Sequence, residues 1–230
     1  MPDFFRSSTF FYLYLTLGAF AFANACQKRL KLAIFNPILV AAVIVIAVLN
    51  VLDIPNATYQ EGCRALSFFL TPATICLAIS FYEQFQKLKH HFCAIIAGVL
   101  VGTIFSIGSI YLMSNLLGLD QKFMLSLLPK SVTTAIGVAL SEEIGGIAAI
   151  TTAAIAITGI FGNITGPLLC KIFRFRDEVA QGVAFGTASH VIGTAKAKEL
   201  NELTGAVSSL SLTIAGIITA VLLSFLAQYL

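Results

Sequence analysis

A lysine directly follows a proline inside an apolar stretch, in the segment 128–134 (LPKSVTT). A lysine in a bilayer is costly unless it faces a cavity or a partner, or reaches the interface. Pro129 removes a backbone donor and disrupts the preceding turn, and transporters bind anions at the ends of such broken helices. A helix that begins at the interface, with Lys130 extended toward water, explains these residues equally well. The anion-site interpretation uses Lys130 as counter-charge and the hydroxyls of Ser131, Thr133 and Thr134 as donors.

A second polar segment, 186–194 (GTASHVIGT), also lies inside an apolar run. Its glycines permit bends or close packing, and its hydroxyls can satisfy freed backbone groups. His190 could exchange a proton near neutral pH or donate to an anion, or it could be a buried histidine bonded to a neighbouring helix. Because ionisable residues in membranes usually mark pathways, we favour a polar lining formed by Thr187, Ser189 and His190.

Two adjacent carboxylates, Glu142 and Glu143, follow Ser141. Such a pair can bind a cation or share a proton, but it more often belongs to a solvated loop. We favour the loop and retain both residues as candidates for ion coupling. Asn163 and Thr165 are further polar groups in an apolar run, and we expect them to bridge helices.

The composition requires these residues to lie in a membrane. Of the 230 residues, 58% are hydrophobic and only 11% are charged, and the mean hydropathy is +0.92. A soluble domain is roughly 25% charged, so a soluble enzyme is excluded, and the scattered basic residues do not suggest nucleic-acid binding. About 20 apolar residues span a bilayer as a helix. Seven uncharged runs have near that length or more: 7–27, 32–52, 65–82, 92–119, 144–170, 179–195 and 203–230.

An eighth apolar stretch, 123–141, is interrupted at Pro129-Lys130-Ser131. Because strand alternation is absent, we predict an all-α fold. It is a polytopic transmembrane helical bundle with broken or re-entrant helices, formed by a single domain over residues 1–230. We expect the first run to be a retained helix rather than a cleaved signal peptide, because basic residues follow it at once.

The basic residues predict the orientation, because cytoplasmic loops collect Lys and Arg. Asp53, Glu61 and Asp120 then fall outside. The scheme holds only if residues 123–170 make an odd number of crossings, so one of the two apolar stretches there should be re-entrant or broken, and 128–134 is the obvious candidate. The residues expected on the cytoplasmic side are Lys28, Arg29, Lys31, Lys87, Lys89, Lys171, Arg174 and Arg176.

Two further patterns concern packing and symmetry. Small-xxx-small pairs allow helix backbones to approach closely, and we favour packing within one chain over a dimer face. A weak echo between residues 70–80 and 128–141 begins each time with a helix-breaking proline, Pro72 or Pro129, and suggests inverted repeats. The glycine pairs are Gly98 with Gly102, Gly162 with Gly166, and Gly182 with Gly186.

The sequence carries no convincing catalytic signature, so we expect no enzyme activity and no cofactor. The number of cysteines is odd and their spacing suggests neither a metal site nor a disulfide framework. Cys76 and Cys93 have apolar neighbours, where cysteine packs as a small hydrophobe. The cysteines are Cys26, Cys63, Cys76, Cys93 and Cys170.

From about Leu70 to Ala220 the chain resembles the LrgB/CidB family of bacterial antiholin-like membrane proteins. The resemblance rests on the ordered motifs LPKSVTT (128–134), SEEIGG (141–146), TGIFG (158–162), GTASH (186–190) and GAVSSL (205–210). One departure is Ala135, where the family pattern has a proline, and it puts in doubt how sharply the helix breaks there.

The resemblance implies a location in the bacterial cytoplasmic (inner) membrane and a smaller holin-like partner of the LrgA/CidA type. It also implies a role in murein hydrolase regulation and lysis, or in carrying small acids, as in the plastid glycolate/glycerate translocator. We therefore expect either a carrier for small monocarboxylates of the glycolate, lactate or pyruvate class, or an antiholin-like regulator without carrier activity. Expected partners are this holin-like protein, a small carboxylate and the lipid bilayer, with no nucleic acid, and a homo-oligomer stays open.

Overall fold

The computed structural model describes residues 9–30, 37–69, 72, 82 and 85–226. Every regular element within these ranges is a helix. The chain divides into two compact units, Met1–Cys76 and Leu77–Leu230. The helices of the first unit are α1 (Thr9–Leu30), α2 (Pro37–Val51), α3 (Asn56–Gly62) and α4 (Arg64–Phe68).

In the first unit, α1 packs against α2 through small and branched side chains, among them Ala23 and Val45. The α3 helix lies beside α1, where the hydroxyl oxygens of Thr16 and Tyr59 are 2.8 Å apart. Much of the rest of α1 is exposed and aromatic, including Phe10 and Tyr14. An exposed apolar surface of this kind is stable in lipid, where no water solvates the helix.

The second unit contains six described helices and the polar segments of interest. Asp120 begins α6 by accepting a hydrogen bond from the Lys122 N–H, and Asp177 begins α9 by accepting one from the Ala180 N–H. The helices are α5 (Phe85–Leu116), α6 (Gln121–Leu127), α7 (Thr134–Glu143), α8 (Ala148–Ile172), α9 (Glu178–Leu200) and α10 (Glu202–Leu226).

Four described helices are long and apolar enough to cross a membrane, namely Phe10–Arg29, His91–Leu116, Ala148–Ile172 and Glu202–Leu226. They confirm the all-α polytopic prediction, although the seven uncharged runs do not all become long apolar helices. The run 32–52 yields only the 15-residue α2. The run 179–195 falls within α9, which contains the polar segment 186–194. This helix is not one of the four that are long and apolar enough to cross a membrane.

One sequence expectation is corrected by the structure, and another concerns residues that the structure does not describe. Lys87 and Lys89 lie in the first turns of α5, not in a loop, because α5 extends the apolar run at its N-terminus. Cys76 and most of the run 65–82 fall outside the described residues. Pro72 is described as exposed, but its neighbours are not, so the proposed break there and the echo of residues 70–80 stay predictions.

The helix α9 is contacted by α5, α8 and α10, and all three glycine pairs lie at these contacts. A Cβ on Gly102 would be 3.0 Å from Cγ2 of Thr187, and one on Gly182 would be 2.8 Å from the Thr204 carbonyl oxygen. Gly162 lies against Ser189 in the same way. The prediction of packing within one chain is therefore confirmed.

The short helices α6 and α7 both pack against α8. The Thr151 hydroxyl of α8 donates to the Ser126 carbonyl oxygen at 2.8 Å and to the Ser141 hydroxyl at 2.6 Å. Ser126 is near the end of α6 and Ser141 near the end of α7, so both lie at one level along α8. The helical structure between them is interrupted at residues 128–133, as the sequence predicts, whereas a re-entrant path through the membrane stays a prediction.

Candidate functional site

The break between α6 and α7 covers residues 128–133, and it contains Lys130. Pro129 is buried at the break, where it has no N–H to leave unpaired. The ammonium of Lys130 donates to the Ser131 hydroxyl at 3.0 Å. Ala135 lies in the first turn of α7, so the helix is interrupted before that position. The Thr133 side chain does not cap the first turn of α7.

A second break lies in α9 at His190, whose backbone angles are φ 42° and ψ −137°. The ring Nε2 lies 2.9 Å from the Ile155 carbonyl oxygen of α8. The kink interrupts the helical ladder, and side chains take up the carbonyl groups around it. The Thr194 hydroxyl donates to the His190 carbonyl oxygen at 2.9 Å, and the Asn163 amide donates to that of Ile192 at 3.0 Å. His190 therefore has the hydrogen bond of a buried histidine and also forms a backbone break beside the cavity.

The larger cavity has a volume of about 490 Å³ and lies along α8 and α9. Lys130 and Ser189 line it, and both belong to the predicted binding set. Lys130 is the only charged residue in this lining, among the residues that the structure describes. The other lining residues are Ile157, Thr158, Phe161, Gly162, Thr165, Gly166, Leu169, Cys170, Phe173, Phe175, Ala184, Phe185 and Ala188.

A smaller cavity, of about 10 Å³, lies on the other side of the two breaks. Ser131 and Thr187 line it, together with Thr103 and Ser106 of α5. The hydroxyl oxygens of Ser106 and Ser131 are 3.1 Å apart. The hydroxyls of Thr103 and Thr187 are buried and make no hydrogen bond with the described part of the chain.

The structure thus divides the predicted set instead of joining it into one pocket. Lys130 and Ser189 face the larger cavity, whereas Ser131 and Thr187 face the smaller one. The Nε2 atom of His190 is hydrogen-bonded to the Ile155 carbonyl oxygen. Thr133 lies just before α7 and Thr134 is its exposed first residue, and neither lines either cavity.

The remaining polar residues lie elsewhere. Glu142 and Glu143 are exposed at the end of α7 and line neither cavity, and a Glu143 carboxylate oxygen accepts from the Ser224 hydroxyl at 3.2 Å. Asn163 bridges α8 to α9 as predicted. The prediction for Thr165 was wrong, because its hydroxyl donates within its own helix to Phe161.

Sequence reasoning missed the aromatic lining and the polar residues of α5. Phe161 and Phe185 fall in apolar runs that give no indication of which side faces a cavity. Thr103 and Ser106 are about one turn apart in an otherwise apolar helix, and this spacing was an available signal. The structure finds no group of three or more potential metal ligands in the part of the chain it describes.

Comparisons with known proteins indicate a single family. Residues 16–229 match the LrgB-like family. The chain is 37% identical over 215 residues to "Antiholin-like protein LrgB" of Bacillus mycoides (strain KBAB4), covering 93% of this chain and 94% of that protein. Proteins of the same name from Bacillus cereus (strain B4264) and Bacillus anthracis (strain CDC 684 / NRRL 3495) are 36% identical over the same lengths. No solved structure matches the chain.

Proposed function

The chain belongs to the LrgB-like family and is a multi-pass bacterial membrane protein, and we propose that it carries small monocarboxylates of the glycolate, lactate or pyruvate class. It has no catalytic role in this proposal and requires no cofactor. The observation that carries the proposal is the position of Lys130 at a helix break, where it is the single charged residue lining a 490 Å³ cavity in the described part of the chain.

The electrostatics of this end of the cavity favour an anion. Lys130 supplies the positive charge at the cavity wall. Ser189 adds a hydroxyl from α9. A carboxylate therefore has a cation and a hydroxyl donor to bind, as anionic substrates do at the broken helices of carriers.

The second cavity lies where the two breaks approach each other. Ser131 belongs to the first break and Thr187 lies three residues before His190 in the second, and both side chains line this cavity. Carriers that work by alternating access use discontinuous helices around one site, and two breaks of this kind fit such a mechanism. Glu142 and Glu143, at the exposed end of α7, stay candidates for ion coupling.

A transport measurement tests the proposal. Uptake of labelled glycolate, lactate and pyruvate is measured in proteoliposomes, with and without the holin-like LrgA/CidA-type partner that we propose for this protein. Lys130→Ala should abolish saturable uptake and leave membrane insertion intact. Lys122→Ala is the matched control, because Lys122 is an exposed lysine in α6 and should keep normal uptake. Equal uptake by the Lys130→Ala variant would refute the site.

A second candidate is an antiholin-like regulator of murein hydrolase activity and cell lysis. The names of the relatives favour it, since each is called an antiholin-like protein. In this case the effect on lysis would depend on binding the holin-like partner, and Lys130→Ala would leave it unchanged. Absence of saturable uptake in both preparations, with correctly folded protein, would favour the regulator.

A further inference from the structure

The cavity that Lys130 lines is apolar over most of its length. Phe161, Leu169, Phe173, Phe175 and Phe185 form its walls, together with smaller residues. Polar lining groups other than Lys130 are a few hydroxyls and the Cys170 thiol. A small acid such as glycolate would bind at Lys130 and leave this aromatic surface unused.

The cavity is also elongated. Its lining residues on α8 run from Ile157 and Thr158 to Cys170 at intervals of three or four, so they form one face of the helix. At 1.5 Å per residue this face is roughly 20 Å long. Beyond the end of α8, the rings of Phe173 and Phe175 stack with centroids 6.0 Å apart and an angle of 26° between planes. The Pro129 carbonyl oxygen and the Ile155 side chain both lie against Gly137, so Lys130 is near the Ile155 end of this face and away from the stacked rings.

We propose that this cavity selects monocarboxylates with an apolar substituent, binding the carboxylate at Lys130 and the substituent against the phenylalanines. This inference rests on the proposed function and defines its substrate class. Short-chain fatty acids and branched or aromatic acids fit it better than glycolate. A second carboxylate or a hydroxyl placed along the apolar wall would lose its water without gaining a partner.

The expected size of the preference follows from the hydrophobic effect. Each methylene that is buried gains a free energy equivalent to about fourfold in affinity. Affinity should therefore rise about fourfold per methylene from acetate through butyrate to hexanoate. Glycolate should bind no better than acetate, because its hydroxyl faces an apolar wall.

The experiment is competition by unlabelled acids against uptake of labelled pyruvate into proteoliposomes. The pH is kept near 8, so that the acids are ionised, and protein-free liposomes measure passive entry. Phe161→Ala should flatten the dependence on chain length while leaving acetate inhibition unchanged. Phe105→Ala is the matched control, because Phe105 is an exposed phenylalanine of α5 outside this lining, and it should keep the full dependence.

Binding of labelled hexanoate to the protein in nanodiscs separates this inference from the proposed function. Hexanoate binding that weakens in both Lys130→Ala and Phe161→Ala supports the site, even if pyruvate uptake is absent and the carrier proposal fails. Pyruvate uptake that depends on Lys130, with inhibition independent of chain length, supports the carrier and overturns the inference. Failure of hexanoate to bind, because a lipid acyl chain occupies the cavity, overturns it as well.

Discussion

Lys130 donates a 3.0 Å hydrogen bond to the hydroxyl of its neighbour Ser131, although the two side chains line different cavities. The Ser131 hydroxyl lies 3.1 Å from that of Ser106. Ser131 thus connects the cation of the larger cavity with the polar lining of the smaller one. The position of the Lys130 ammonium and the hydrogen bonding in the smaller cavity therefore both involve the Ser131 hydroxyl.

Replacing Ser131 with alanine should weaken substrate binding without removing the charge. A hydrogen bond to a charged group contributes roughly 1.5–3 kcal/mol, so the KM of uptake should rise about tenfold or more. Ser131→Thr keeps the hydroxyl and should restore most of the activity. Ser109→Ala is the control, since the Ser109 hydroxyl donates to the Ser106 carbonyl oxygen of its own helix and lines neither cavity. An unchanged KM in Ser131→Ala would contradict the orienting role.

Gly186 is required by the contact between α9 and α10. A methyl group there would meet the Ser208 carbonyl oxygen, and backbone atoms cannot move aside cheaply. Gly186→Ala should therefore destabilise the fold by about 1–3 kcal/mol. Gly108→Ala, where no atom lies within 4 Å, should be neutral or stabilising, because alanine is the better helix former. Thermal unfolding in detergent checks both, and equal melting temperatures would exclude the packing argument.

The backbone at His190 should prefer glycine to alanine. Its φ of 42° with ψ of −137° is a conformation that side chains with a Cβ rarely adopt. His190→Gly and His190→Ala both lose the Ile155 hydrogen bond, so their difference isolates the backbone. We expect the glycine variant to be more stable by about 1–3 kcal/mol.

The control for this comparison is Ala195, an exposed residue of the same helix. Ala195→Gly should reduce stability by about 1 kcal/mol, as in an ordinary helix. If the His190→Gly variant is less stable than the His190→Ala variant, as glycine is relative to alanine at position 195, then α9 is not kinked at His190.

Two buried threonines should respond in opposite ways to valine. Thr151 donates to the Ser126 carbonyl and the Ser141 hydroxyl, so Thr151→Val should cost about 1–3 kcal/mol by leaving these groups unsatisfied. The Thr103 hydroxyl has no partner in the described part of the chain. Thr103→Val should therefore be neutral or stabilising, as measured by thermal unfolding. A large loss of stability in Thr103→Val would mean that its hydroxyl binds something in the protein as it is in the membrane.

Much of the fold follows from the sequence. Apolar runs predict helices in lipid because backbone groups there must be satisfied within each segment, and α1, α5, α8 and α10 correspond to such runs. The interruption at Pro129 was predictable because proline cannot continue the helical ladder, but the sequence left open whether Lys130 faces a cavity or extends to the interface. The glycine pairs were predictable as packing contacts because small residues four apart allow two helix backbones to approach closely.

The candidate site was predicted less completely. Each of Lys130, Ser131, Thr187 and Ser189 was identified by its polarity, but polarity does not reveal which cavity a side chain faces. The direction of a side chain at a break depends on backbone angles that only the surrounding packing determines. The aromatic lining gave no signal because phenylalanine is equally suited to lipid and to a protein cavity.

The sequence by itself determined that this protein is a helical membrane protein of one family, with a polar break at Lys130 and a polar segment around His190. These features follow from the local sequence, because lipid cannot solvate a charged side chain or an unpaired backbone group at any position in the chain. Only the tertiary structure decided that α9 is contacted by α5, α8 and α10, that His190 bonds Ile155, and that Lys130 and Ser131 serve separate cavities. Those relationships arise from helix packing between distant parts of the chain, where close contact of small residues determines which faces meet.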